Sequence, residues 1–414
     1  MKKLLLAVLA AALVLAGCAG SASRDGIQAM GYKAEITLQP IESLGDNFSR
    51  GVNDFGFGIA GKLYGTDVNL ALSPVSLELA LAMTRAGAAG DTAEQMKDTL
   101  GLSALSDEEI IEACRQLMWR ANTSGMEAAN SVWLGDNFTY RQEFIDTCTG
   151  DFMADAYELN IPGAKDDINA WVSSKTHKTI PQLLAEEPSG DTELILCNAL
   201  YYLGDWVLPF EADNTHDGDF AAPSGTVSVS FMNSDWSVPY YGNDLFTMIS
   251  LQFKSESSGG RYAMALLLPA EGTGIADMLP MLDGDSFAAA LSGLDEQQVS
   301  IRLPKFDFMA SASLKDTLVN MGMSAAFDSN AADFSRMTEE ANSLFINEVL
   351  HKCYIRVDEL GAEAGAATEV GIENGAMPMS PATFYADRPF VFAIYSLEDG
   401  TIAFLGAVNN PAQH

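Results

Sequence analysis

From Phe48 to Leu102 apolar residues recur at three- and four-residue intervals, with Ser73-Pro74 placed where a helix starts and Gly87 where one stops. The chain is therefore expected to open with helices. Strand-like runs then take over: NSVWL from Asn130, ELILCNALYYL from Glu193, VSVSFM from Val227, MALLLP from Met264, VSIRLPKF from Val299, LFINEVLHKCYIRV from Leu344 and FVFAIY from Phe390. Helical spacing returns near 166–185 and 313–323. Helices alternating irregularly with long strands predict a mixed α+β body rather than a regular doubly wound sheet.

One segment carries two patterns at once. Residues Asp358 to Phe384, DELGAEAGAATEVGIENGAMPMSPATF, have the Gly, Ala and Pro content of a long surface loop. Counted in twos, Ala362, Ala364, Ala366, Thr368, Val370 and Ile372 share one face, and Glu363, Gly365, Ala367, Glu369, Gly371 and Glu373 share the other. That is the alternation of a half-buried strand.

The 414 residues are 48% hydrophobic, enough for a large core in one big domain or two ordinary ones. The start, MKKLLLAVLAAALVLAGCAG, has the basic, apolar and small-residue order of an export signal, and its apolar run is too short for a stable membrane span. Leu15-Ala16-Gly17-Cys18 resembles the lipobox of bacterial lipoproteins, which implies a lipid-modified Cys18 after removal of residues 1–17. Residues 18–45 are expected to form a tether, and 46–414 one folded domain. The expected location is the outer face of a bacterial envelope, with Cys18 holding the chain to the membrane, or secretion from the cell.

The formal net charge is −33. Nucleic acid and anionic, heparin-type polysaccharides are poor partners for such a surface, whereas cationic proteins are drawn to it. Cys114, Cys148, Cys197 and Cys353 show no metal spacing and are expected to be buried free thiols. Strand parity places Cys353 on the His351 side and Cys197 away from the Asn198 side, against a disulfide between them.

Catalytic patterns are missing from the sequence: it has no HExxH, GxSxG or Walker loop, and its four histidines stand in no triad context. Gly56, Gly58 and Gly61 match a dinucleotide fingerprint by letter, but no buried strand precedes them, so helix packing explains them better. No cofactor or metal is expected.

The stretches NLALSPVSLELALAMTRAGAAGDTAEQM from Asn69, NALYYLGDWVLPF from Asn198, LPKFDF from Leu303, LFINEVLHKCYIRVDELGAEAGAAT from Leu344, RPFVFAIY from Arg388 and FLGAVNNP from Phe404 resemble, in order, segments of the serpin family. The resemblance runs from about residue 45 to 412. It implies helices packed on three β-sheets, with an exposed, insertable reactive loop over 358–384. Residue by residue it places Ser73, Ser76, Asn198 and His351 in a polar shutter beneath the main sheet and Trp206 at the breach above it. Glu359, Gly361, Ala362, Ala364, Ala366, Ala367 and Thr368 match the inhibitory hinge. Ala362, where the family more often has Thr or Ser, and Gly365 depart from its pattern.

The resemblance also accounts for the double pattern. In serpins a serine or cysteine protease cuts the exposed loop, forms an acyl-enzyme and is trapped as the loop inserts into the sheet. Counting from both ends places the cut bond at Gly375, Ala376, Met377 or Met379. These small or unbranched residues imply an elastase-like or subtilisin-like target. A monomeric inhibitor is the expectation; the other reading is a non-inhibitory serpin acting as a binding or chaperone-like surface protein.

Overall fold

Local chemistry sets the helix ends. The Ser73 hydroxyl accepts a bond from the Ser76 amide, Pro74 takes the first helical position, and the helix stops at Gly87. A computed structural model describes residues 28–29, 44–122, 126–136, 138–160, 163–188, 192, 194–202, 204–255, 261–338, 340, 344–362 and 381–413. The helices are α1 (Asp46–Leu63), α2 (Pro74–Ala86), α3 (Gly90–Thr99), α4 (Asp107–Ala121), α5 (Gln142–Gly150), α6 (Lys165–Lys175), α7 (Ile275–Met278), α8 (Gly284–Ser292) and α9 (Lys315–Asn320).

The first strands are β1 (Gln28–Ala29), β2 (Leu70–Leu72), β3 (Met126–Gly135), β4 (Ala154–Leu159), β5 (Leu194–Tyr202), β6 (Gly204–Asp205), β7 (Thr215–Ala222) and β8 (Gly225–Gly242). There follow β9 (Phe246–Gln252), β10 (Tyr262–Pro269), β11 (Asp295–Pro304), β12 (Phe306–Ser313), β13 (Leu350–Val357), β14 (Gly361–Ala362), β15 (Ala382–Tyr385), β16 (Phe390–Ser396) and β17 (Ile402–Val408).

Among the described residues a nine-stranded sheet runs β15-β11-β8-β9-β10-β16-β17-β2, with β7 also on β8. The long β8 makes this possible: over Phe231–Tyr240 it pairs with β11, and over Tyr240–Gly242 it turns to β9, joining two layers into one surface. Every residue of β10, β16 and β17 is buried. Helices α1 and α2 pack on β17, and Gly56 brings them close because a Cβ there would enter the Pro74 ring. Gly56 thus belongs to helix packing, whereas Gly58 faces the Met321 side chain and a Cβ at Gly61 would meet nothing.

Three expected elements are shorter than their patterns. The helix near 166–185 ends at Lys175, because His177 and Lys178 take left-handed backbone (φ 48° and 69°) that a helix cannot continue. The helix near 313–323 is confined to α9 and is followed by Gly322 at φ 118°. The apolar run from Leu344 becomes a strand only at Leu350, opposite Ser313, since the partner strand β12 ends there and Leu314 turns away to bond the Val349 carbonyl.

The remaining sheet is parted. β1-β4-β3-β5 form one block and β12-β13 another, and no ladder joins β5 to β13 among the described residues.

Candidate functional site: a parted sheet and its hinge

Cavities follow the gap between β5 and β13 down the sheet. The uppermost is lined by Leu200 and Tyr202 on one side and Tyr354 and Arg356 on the other, with Ala362 between them. Below it Ser73, Ser76, Asn198, His351 and Cys353 surround a second. The lowest is a cavity of about 550 Å³ lined by Thr84, Leu196, Asn198, Leu344, Val349 and His351.

The chain enters the head of this gap. After β13 it reverses over Asp358–Gly361, where the Asp358 amide donates to the Gly361 carbonyl (3.1 Å) and the Leu360 amide to the Asp358 carboxylate (3.0 Å). β14 then runs antiparallel to β6, with Gly361 opposite Asp205 and Ala362 opposite Gly204. A Cβ at position 361 would be driven into the Gly204 carbonyl, so the approach needs glycine. Ala362 is only 3% exposed, and a small side chain is what that position holds.

Trp206 fastens the reversal. Its indole N–H donates to the Asp358 carbonyl (3.0 Å) and its amide to the Leu360 carbonyl (2.8 Å), while its ring stacks on Phe253 at 4.5 Å. Glu359 receives Lys305 (2.8 Å) and the Thr215 hydroxyl (2.9 Å). Burial alone raises its pKa, but the hydrogen bonds and the Lys305 charge outweigh it and hold the carboxyl below its usual range. Ala364, Ala366, Ala367, Thr368, Gly375, Ala376, Met377 and Met379 lie outside the described residues, as do Cys18 and residues 1–17.

The polar cluster is divided by the gap. On the β13 side, His351 Nε2 accepts the Ser73 amide (3.0 Å), the Ser73 hydroxyl donates to the Ala403 carbonyl (2.7 Å), and Cys353 Sγ stands 3.2 Å from the same nitrogen. An accepting Nε2 places the imidazole proton on Nδ1. Burial lowers the His351 pKa to about 4. On the β5 side, Asn198 donates not to this group but to Asn130 Oδ1 (2.8 Å), and Asn130 in turn donates to the Phe152 carbonyl (2.7 Å). The structure therefore brings Ser73, Ser76 and His351 together and sets Asn198 apart, with its carbonyl oxygen buried and unpaired.

All four described cysteines are free and buried, and Cys353 shares the His351 side as strand parity predicts. Sequence reasoning missed Asn130, although it stands at the head of the NSVWL run. It also missed Glu78, a fully buried α2 carboxylate whose two oxygens have no hydrogen-bond partner among the described residues. Burial pushes that carboxyl well up, against the opposing charge of Arg85.

A parted main sheet, with a segment reversed into its head and a second anchor at β15, defines an α+β protein with a loop held at both ends. The family model for Serpin (serine protease inhibitor) matches residues 50–411. An uncharacterized serpin-like protein of Thermococcus kodakarensis is 35% identical over 87% of this chain and 85% of its own length. Iripin-2 of Ixodes ricinus is 31% identical over 86% and 92%. The crystal structure of the thermophilic serpin tengpin in its native state superposes with a TM-score of 0.81 at 29% identity, covering 91% of this chain and 97% of that one. The chain belongs to the serpin family, whose members are in general protease inhibitors rather than enzymes.

Proposed function

We propose that the protein is a suicide inhibitor of serine or cysteine proteases. The protease nucleophile attacks the carbonyl of the reactive bond, the acyl group passes to the protease, and the C-terminal side leaves as a free amine. The freed segment then follows Ala362 into the gap between β5 and β13 and carries the protease with it.

The observation that carries this reading is the placement of Gly361 and Ala362, already paired with β6 at the head of a gap that no ladder closes below. Insertion adds roughly a dozen ladder hydrogen bonds at about 0.5–1.5 kcal/mol each, so the intact form is held by a barrier rather than by depth. Small residues at the inward positions, Ala362, Ala364 and Ala366, enter without desolvating a charge.

The loop has no Lys or Arg between Asp358 and Ala386, which favours an elastase-like or subtilisin-like target over a trypsin-like one. The lipobox supports attachment through Cys18 to the outer face of a bacterial envelope and a role in guarding that surface.

Mass spectrometry after mixing with elastase or subtilisin tests the proposal. A covalent adduct with the protease is the expected product; a simple nick with no adduct would place the protein among non-inhibitory serpins. The nicked, inserted form is also expected to melt well above the intact one.

A further inference from the structure

One cation on the outer face of the nine-stranded sheet has a built seat and no polar partner among the described residues. Arg302 lies in β11 opposite Asn233 of β8 and, on its other side, opposite Tyr385 of β15. Its guanidinium carbon stands 4.0 Å from the centroid of the Phe231 ring, which is buried beneath it. Beside it is Gly218, where a Cβ would be driven into the guanidinium, so glycine keeps the seat open. Among the described residues its nitrogens make no hydrogen bond or ion pair.

The other described arginines are all engaged. Arg50, Arg85, Arg115, Arg120, Arg261, Arg336, Arg356 and Arg388 face carboxylates, and Arg141 donates to carbonyls. In a chain of net charge −33, a positioned guanidinium left free is an exception that solubility does not explain. It lines an open groove of about 460 Å³ with His216, Asn233, Ser300 and Tyr385. Asp217 and Asp235 also border the groove, and one carboxylate oxygen of each accepts a serine hydroxyl, from Ser230 and Ser300 respectively.

The position of the groove selects the occupant. Tyr385 is six to ten residues beyond the candidate reactive bonds at Met379 and Gly375. An extended chain of that length reaches at most about 35 Å, and a protease of about 230 residues is about 45 Å across. A protease seated on the bond therefore overhangs this face on its leaving-group side. A guanidinium fork presents parallel donors to a carboxylate, and its stacked, restricted state lowers the ordering cost of that contact.

We propose that Arg302 and its groove form a docking site for an acidic side chain on the rim of the attacking protease. This inference rests on the inhibitor reading above and adds a specificity element outside the cut bond. The negative field of the whole chain repels acidic enzymes, so the site favours a protease that is cationic overall and carries a carboxylate at this contact.

The test uses the full folded domain with pancreatic elastase and subtilisin at low salt. Arg302→Glu is expected to slow complex formation at least tenfold with one of them, Arg302→Ala about threefold or more, and Arg302→Lys, which still covers Phe231, less than either. The stoichiometry of trapping and the melting temperature stay at wild-type values, and the salt dependence of the rate flattens. If the wild type yields only a nick, the inhibitor reading fails, and kcat/KM for nicking is judged by the same tenfold criterion. Rates within twofold of wild type for all three variants with both proteases overturn the docking site.

Discussion

Asn198 donates to Asn130 across 2.8 Å and keeps its own carbonyl oxygen buried and unpaired on the cavity it shares with His351. The bond ties β5 to β3, the strand behind it, rather than to β13 in front. Asn130→Ala should leave both polar atoms of Asn198 unmatched and cost about 1–3 kcal/mol of stability, read as a lower denaturation midpoint at unchanged m-value.

His351 ties stability to pH. Its folded pKa of about 4 lies below the 6.5 of the unfolded chain, so the unfolded form binds more protons between those values. Stability is full above pH 6.5 and falls as the pH drops toward 4, by on the order of 3 kcal/mol over the window. His351→Gln, which keeps an acceptor for the Ser73 amide, should flatten that slope in melting curves taken from pH 7 to 4.

Glu78 acts in the opposite sense. Burial raises its folded pKa well above 4.5, so the folded form binds the extra proton, and stability is lost as the pH climbs from 4.5. Glu78→Gln removes the ionisation cost and should raise the melting temperature at pH 8 more than at pH 5. An equal change at the two pH values would show that the carboxyl is not proton-linked to folding.

On the proposed mechanism, trapping turns on Ala362. Ala362→Arg places a charge at a site that is 3% exposed, between Tyr202 and Tyr354. The variant should be cut at the wild-type rate yet yield little or no SDS-stable complex. Undiminished complex formation would mean that entry at the head of the gap does not limit the reaction.

Much of the fold can be read along the chain. Ser73-Pro74 and Gly87 bound α2 because capping is a contact between residues three or four apart. The apolar runs at Met264 and Phe390 become β10 and β16, since a strand buried on both faces is continuous in hydrophobicity, and the run at Leu194 becomes the partly buried β5. β4 and β7 were harder to see, for their part-exposed patterns are closer to those of loops. The polar cluster of Ser73, Ser76 and His351 was legible only in part. The serpin resemblance picked out Asn198 and His351, but nothing local says which asparagine Asn198 faces.

The sequence by itself determined the helix caps, the apolar strands, the alternation that begins at Ala362 and the family. Each is a short-range pattern or an ordered set of them. Tertiary structure alone decided that β5 and β13 stand apart, that Asn198 turns to Asn130, that Glu78 is sealed without a partner, and that Phe231 and Gly218 seat a free Arg302. These contacts join residues on separate elements, so their geometry exists only after the layers have packed.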